Sequence, residues 1–270
     1  MKTIFYALLA SVVFTACQGN KENTAAYTPR VLTATEKFNY YPETKGDTLA
    51  LVAATGDKKE EAATTEAFNV KYMDTVIQIQ TNPDDKASVN GKFSSAEYVN
   101  TQKTTLLVQI ADKSGLQAPV YLITIIDKKP QVISLYRASK GPEDTKYTKG
   151  IIKVGRDGYV VNNDFFVTNV NAKVFLIKRQ NDEERIQGDF IVKSPDKQTL
   201  AFLCAKSFFQ VHYPTGKTYN QPLKTVPAIT GNELFAWVTE NFKWDRTKEG
   251  ISFLIPNDND RIVELREFKK

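Results

Sequence analysis

The chain is poor in the residues from which most metal and redox sites are made: one histidine, two cysteines and two methionines in 270 residues. A single histidine excludes any motif that sets two imidazoles on one metal. Two cysteines cannot build a zinc site of four thiolates, and with one histidine they cannot build one of two thiolates and two imidazoles. No apolar run reaches the roughly 20 residues that a membrane-spanning helix needs. Cationic blocks are missing as well. The 36 Lys and Arg are interspersed with 31 Asp and Glu, so the net charge of +5 forms no basic stripe of the kind a nucleic-acid binder carries. Repeats of 20–50 residues, the mark of solenoids and propellers, are absent too. What is present, 41% hydrophobic and 25% charged residues, is a globular composition and excludes a fully disordered or collagen-like chain. The length suits one large domain, or one domain and a tail.

The N-terminus reads Met1-Lys2-Thr3, an apolar run from Ile4 to Phe14, then Thr15-Ala16-Cys17. One basic residue, a short uncharged run and a small residue before a cleavage point make a secretory signal over residues 1–16. Phe14-Thr15-Ala16-Cys17 resembles the lipobox of bacterial lipoproteins, with Phe14 where leucine is commonest. The resemblance implies a processed chain that begins at a lipidated Cys17. Only Cys204 then remains, and the exported chain has no internal disulfide to form. Two or three acyl chains such as palmitate anchor a protein durably, because each buried methylene contributes about 0.8 kcal/mol. Gln18, rather than Asp, follows the cysteine, which by the same resemblance implies the outer membrane of the cell envelope. Loss of Lys2 with the signal leaves a side-chain balance of +4, one below that of the whole chain.

Residues 17–68 read as a tether and low-complexity segment. Residues 18–29 are polar. Residues 30–55 hold enough apolar side chains to pack on a domain, and 56–67 are charged and rich in Ala and Thr. From Asn69 to the end a β-rich globular domain is expected. Ile77 and Ile79 alternate with Gln78 and Gln80, and Leu106, Val108 and Ile110 share a face. Residues 120–126 are apolar on both faces, which suits a central strand. Further strands are expected at 131–137, 150–155, 158–168, 173–179, 186–193, 199–205, 207–213 and 219–226, with Gly-, Asp- and Pro-rich turns between them. Thr230-Gly-Asn-Glu233 has the spacing of a capping box. Leu234, Trp237, Val238 and Phe242 then draw one apolar stripe, so a helix is expected over 231–243. A last hairpin is expected from 251–255 and 261–268. The fold class is therefore mainly β: an antiparallel sandwich or barrel-like domain with one C-terminal helix and a final hairpin. In layout it resembles lipocalins, but their Gly-x-Trp signature is missing.

Candidate chemistry is thin. Tyr213-Pro-Thr-Gly-Lys-Thr218 ends like a phosphate-binding loop, yet Val211 stands where the first glycine belongs, so a hairpin turn is expected. Gly150 to Arg156 fails in the same way. Cys204 shares a face with Leu200 and Phe202 and reads as an inert core thiol. Pairing with His212 requires a turn at 205–207. His212 alternates with Phe208 and Gln210 on a face expected to reach solvent. Asn181-Asp-Glu-Glu184 and Asn257-Asp-Asn-Asp260 lack the spacing of a calcium loop. Tyr40, Tyr41, Tyr147, Tyr159 and Tyr219 lie near loops and suit a stacking platform for glycan or peptide. No catalytic, metal or cofactor residue is assigned, and lipidation of Cys17 is the one site expected. The function expected is a lipid-anchored envelope protein whose β-domain binds glycan, peptide or another envelope protein. A glycan hydrolase using two carboxylates and a carrier of an apolar ligand are the alternatives.

Overall fold

The computed structural model describes residues 23–33, 38, 48–53, 67–110, 119–141, 149–226 and 228–257. Cys17 and the signal, most of the segment 34–66 and the expected strand 261–268 lie outside them. The fold is mainly β, with a curled, barrel-like sheet, one helix and a hairpin after it.

The curled sheet uses β1 (Asn23–Tyr27), β2 (Arg30–Val31), β3 (Leu49–Ala53), β4 (Phe68–Tyr72), β5 (Thr75–Gln80), β6 (Val89–Asn90), β7 (Phe93–Tyr98), β8 (Thr105–Ile110), β9 (Val120–Ile126) and β10 (Lys129–Ser134). Its order is β1-β5-β4-β7-β8-β9-β10-β2, with β3 on β4 and β6 on β5. β1 runs parallel to β5 and β2 parallel to β10, at opposite ends of that order. Only Thr28 and Pro29 separate the two, so one N-terminal segment bridges the seam of the sheet. Residues 23–31, within the expected tether, thus belong to the β-structure. The alternating run at Ile77–Gln80 lies in β5, joined to β4 by a tight turn in which Met73 takes φ +52°.

Two four-stranded meanders follow. The first is β11 (Ile151–Val154), β12 (Gly158–Val161), β13 (Phe165–Thr168) and β14 (Val174–Leu176). The second is β15 (Phe190–Lys193), β16 (Thr199–Cys204), β17 (Ser207–His212) and β18 (Lys217–Pro222). The helix α1 (Gly231–Asn241) leads directly into β19 (Phe242–Arg246), which pairs antiparallel with β20 (Ser252–Pro256). The closing hairpin therefore takes β19, not 261–268, as the partner of 252–256.

Alternation of side chains turns these pieces into a stack. Leu106, Val108, Tyr121 and Ile123 point into the curl of the first sheet with Ile77, Ile79 and Phe93, and fill it. Their neighbours Leu107, Val120 and Leu122 point outward, against Tyr159, Val161, Phe165 and Val167 of the first meander. That meander's other face, Val160 and Phe166, meets Leu200, Phe202, Phe209 and Val211 of the second. The second meander's remaining face, Val192, Ala201 and Phe208, packs on Val238, Phe242 and Leu254 of the helix and hairpin. Each inner strand is apolar on both faces because each has a layer on both sides. Full burial of a Leu, Ile, Val or Phe side chain stabilises by about 1.5–3 kcal/mol, so the order of layers is held by these four clusters.

Three expectations are corrected. Residues 158–168 are not one strand but the hairpin β12–β13, because Asn162 and Asn163 both take φ +53°, the left-handed region that turns a chain back. The capping box does not form: Thr230 is extended and makes no side-chain cap bond, since Gly231, at φ +58°, reorients the chain before the first turn. The face of Gln210 and His212 does not reach solvent; they are 0% and 5% exposed, beneath the terminal hairpin. Gln210 acts there as a strand neighbour. Its Nε2 donates to Leu254 O at 2.8 Å, and its Oε1 accepts from Leu254 N at 2.6 Å.

The apolar stripe of the helix is as expected, with Leu234 and Val238 buried and Trp237 packed beside them. The helix stops at Asn241, short of the expected end, because Phe242 turns extended, its ring edge-on to Phe208 at 5.2 Å.

Candidate functional site

At one end of the stack, two hairpin turns and the residue after a strand end face each other. The β17–β18 turn at 213–216 is tight because Gly216 takes φ +73° and its N–H bonds to His212 O at 2.8 Å. The β19–β20 turn at 247–250 closes likewise, with Gly250 at φ +79° bonding to Thr247 O. With Lys178, two residues beyond β14, they line a groove of about 620 Å³.

Its lining is cationic and hydroxylated: Lys178, Lys217 and Lys248, with Thr215, Thr218 and Thr247, over a floor of Ile251 and Phe253. Lys217 and Glu249 join the two turns by an ion pair. His212 lies just beneath. Its Nδ1 is 2.7 Å from Thr215 Oγ1 and its Nε2 is 3.0 Å from Gln198 Oε1. With the Gln198 amide oxygen as acceptor, Nε2 carries the proton and the Thr215 hydroxyl donates to Nδ1. Burial pulls the imidazole below its ordinary range, which keeps it neutral at pH 7. The Gly-Lys-Thr run therefore belongs to a strand-turn-strand unit, as expected of it, while its residues line the groove.

A second groove, of about 540 Å³, lies between the first sheet and the first meander. Glu97 Oε1 accepts from Tyr159 OH at 2.7 Å and from Lys153 Nζ at 2.8 Å. Burial alone would raise Glu97, but the two donors outweigh it and hold the carboxyl below its usual range. Burial and the neighbouring carboxylate push Tyr159 up to about 12. A carboxylate held ionised in this way is a poor general acid. Each groove carries one carboxylate among its described lining, Glu249 or Glu97, where paired-acid hydrolysis needs two.

Outside both grooves the fold holds a fully buried carboxylate. Asp164 Oδ1 accepts from Arg137 at 2.7 Å and from Arg179 Nε at 2.8 Å. Its Oδ2 accepts from Arg179 at 2.9 Å and from Arg185 Nε at 3.1 Å. Arg179 thus grips both oxygens, the bidentate geometry that guanidinium favours. Arg179 and Arg185 also donate to the backbone carbonyl of Arg137. Desolvation lowers Arg137 from its ordinary value. The cluster ties the segment after β10 to the β12–β13 turn and to the loop before β15. Its role is structural.

Of the residues singled out in the sequence, Cys17, Tyr40, Tyr41 and Tyr147 lie outside the described residues. Cys204 and His212 are not brought together: Cys204 pairs with Ser207 beside the β16–β17 turn, and His212 with Thr199 at the far end of the hairpin. Burial pushes the Cys204 thiol up, away from the reactive thiolate. Asn181 caps its own turn, its Oδ1 accepting from the amides of Glu183 and Glu184. Of the second acidic run only Asn257 is described. Tyr159 is no platform, being 2% exposed and held by Glu97, and Tyr219 packs against Phe253 at 5.4 Å. Sequence reading missed Asp164 and its arginines, although Asn162-Asn163-Asp164 inside an apolar run was a signal. It also missed Lys178 and Lys248, which carry no local motif. Among the described residues no helix is long and apolar enough to cross a membrane. Comparison with known protein families, with characterised proteins and with solved structures finds no match.

Proposed function

We propose that this is a lipid-anchored protein of the bacterial cell envelope, held at the outer membrane through Cys17, whose β-domain binds a ligand or partner without transforming it. The observation that carries the anchoring is Phe14-Thr15-Ala16-Cys17 directly after an uncharged apolar run. The fold adds a length to it. β1 begins at Asn23, so only five residues lie between Cys17 and the first strand. Fully extended, that link spans at most about 20 Å. An acylated Cys17 would therefore hold the seam of the curled sheet close to the bilayer, not at the end of a long leash. Support for a binding role comes from the two polar grooves on a stack of filled layers, where turn residues are presented by rigid hairpins.

Two experiments test the reading. Cys17→Ala should shift the protein from the membrane to the soluble fraction of cells; unchanged membrane retention would refute the anchor. Addition of solubilised envelope material to the purified full chain should slow amide exchange at 213–218 and 247–251; no change there or at the second groove would refute the binding role.

A further inference from the structure

We propose that the groove between the hairpin tips takes an anionic, hydroxyl-rich ligand, a saccharide carrying carboxylate or phosphate groups. This rests on the ligand-binding reading above and gives it a chemistry. Three lysines line the groove from segments far apart in sequence: Lys178 beyond β14, Lys217 at the start of β18 and Lys248 in the β19–β20 turn. One carboxylate, Glu249, stands among them and is engaged by Lys217. Lys178 and Lys248 have no ion pair or hydrogen bond among the described residues. Folding has therefore gathered three cationic side chains along one groove, with one counter-charge among its described lining. A ligand that carries negative charge complements that balance. The floor beneath is apolar and buried, Ile251 and Phe253 being 6% and 4% exposed.

The hydroxyls narrow the ligand further. Thr215 is fixed by the buried His212: its proton is committed to Nδ1, which leaves the oxygen as an acceptor. Thr218 and Thr247 also line the groove, the Thr247 oxygen accepting from Ile251 N at 3.2 Å. Ammonium groups only donate, so the ligand must bring charged acceptors to them. The Thr215 oxygen accepts from Lys217 N at 3.4 Å and has one lone pair left, which suits a ligand that also brings a donor. Inorganic phosphate meets the first demand and a neutral sugar the second. An acidic saccharide meets both, and about 620 Å³ lies within the ordinary range of small-molecule sites, roughly 300–1,000 Å³.

The test is calorimetric titration of the detergent-purified full chain with three probes: an oligouronate, a neutral oligosaccharide of equal length, and inorganic phosphate. The oligouronate should bind at least about tenfold more tightly than the other two, and more weakly as salt rises. Lys178→Ala with Lys248→Ala should weaken it by about tenfold or more. Glu249→Gln, which releases Lys217, should tighten it. Both variants alter exposed turn residues, and circular dichroism verifies the fold. Equal binding of the neutral oligosaccharide, or indifference to the lysine substitutions, overturns the inference and leaves the ligand-binding reading standing. Equal binding of phosphate overturns the saccharide half. Failure of all three probes overturns the inference whole, while the exchange experiment above decides separately whether the tips bind anything.

Discussion

Asp164 is the residue on which the middle of the molecule turns. It is wholly buried and pairs with both Arg179 and Arg185, whose side chains are 4% and 2% exposed. Removing one partner of a buried ion pair strands the others, at a cost of about 3–5 kcal/mol. Asp164→Ala should destabilise by that order in urea titration; a loss below about 1 kcal/mol would mean that the arginines are satisfied without it. His212 gives a second residue-scale expectation, simplified because the chain has no other histidine. Its folded pKa lies below the unfolded value near 6.5, so protonation favours the unfolded chain. Its contribution is intact above about pH 6.5 and is lost as the pH falls below it. The melting temperature of the wild type should therefore decline between pH 7 and 5 more steeply than that of His212→Gln. Equal slopes would show that the imidazole is not desolvated. Glu97, held low in the fold, acts in a separate window, its contribution fading as the pH falls below the usual carboxylate range near 4.5.

At the scale of elements, Gly158 shows how closely neighbouring strands approach. A Cβ there would lie 2.2 Å from Val167 O, inside the β12–β13 pairing, so Gly158→Ala must force two bonded strands apart. Gly155, three residues earlier, has open space around its Cβ position but takes φ +57°. Gly155→Ala should cost about 1–2 kcal/mol from backbone strain alone. Gly158→Ala should cost clearly more; parity in thermal melts would contradict the tight pairing. These elements were largely legible in sequence because period-two alternation is a local signal. The runs at 104–110, 120–126, 199–205 and 207–213 all became strands close to those bounds. What could not be read depends on a neighbour. The polarity of Gln210 and His212 suggested solvent, yet a hairpin some 40 residues away covers them and supplies Leu254 as a backbone partner. Paired left-handed asparagines split an apparently continuous strand. A left-handed glycine undid an apparent capping box. The candidate site was the least legible of all, since its three lysines come from three separate segments that only the finished stack brings together.

At the scale of the whole molecule, a stack of β layers follows the proposed lipidation site, Cys17, with five residues between that cysteine and the first strand. With Cys17 acylated as proposed, the short link would make the seam-bridging segment 23–31 the junction between bilayer and domain. Neither the ligand chemistry nor the fold requires Cys17, so the anchor stands or falls on its own chemistry. Mass spectrometry of the N-terminal peptide, taken from protein purified out of native membranes, reads it directly. The expected peptide begins at Cys17 and carries the added mass of two or three fatty acyl chains. A peptide that retains residues 1–16, or one that begins with an unmodified Cys17, would contradict the account.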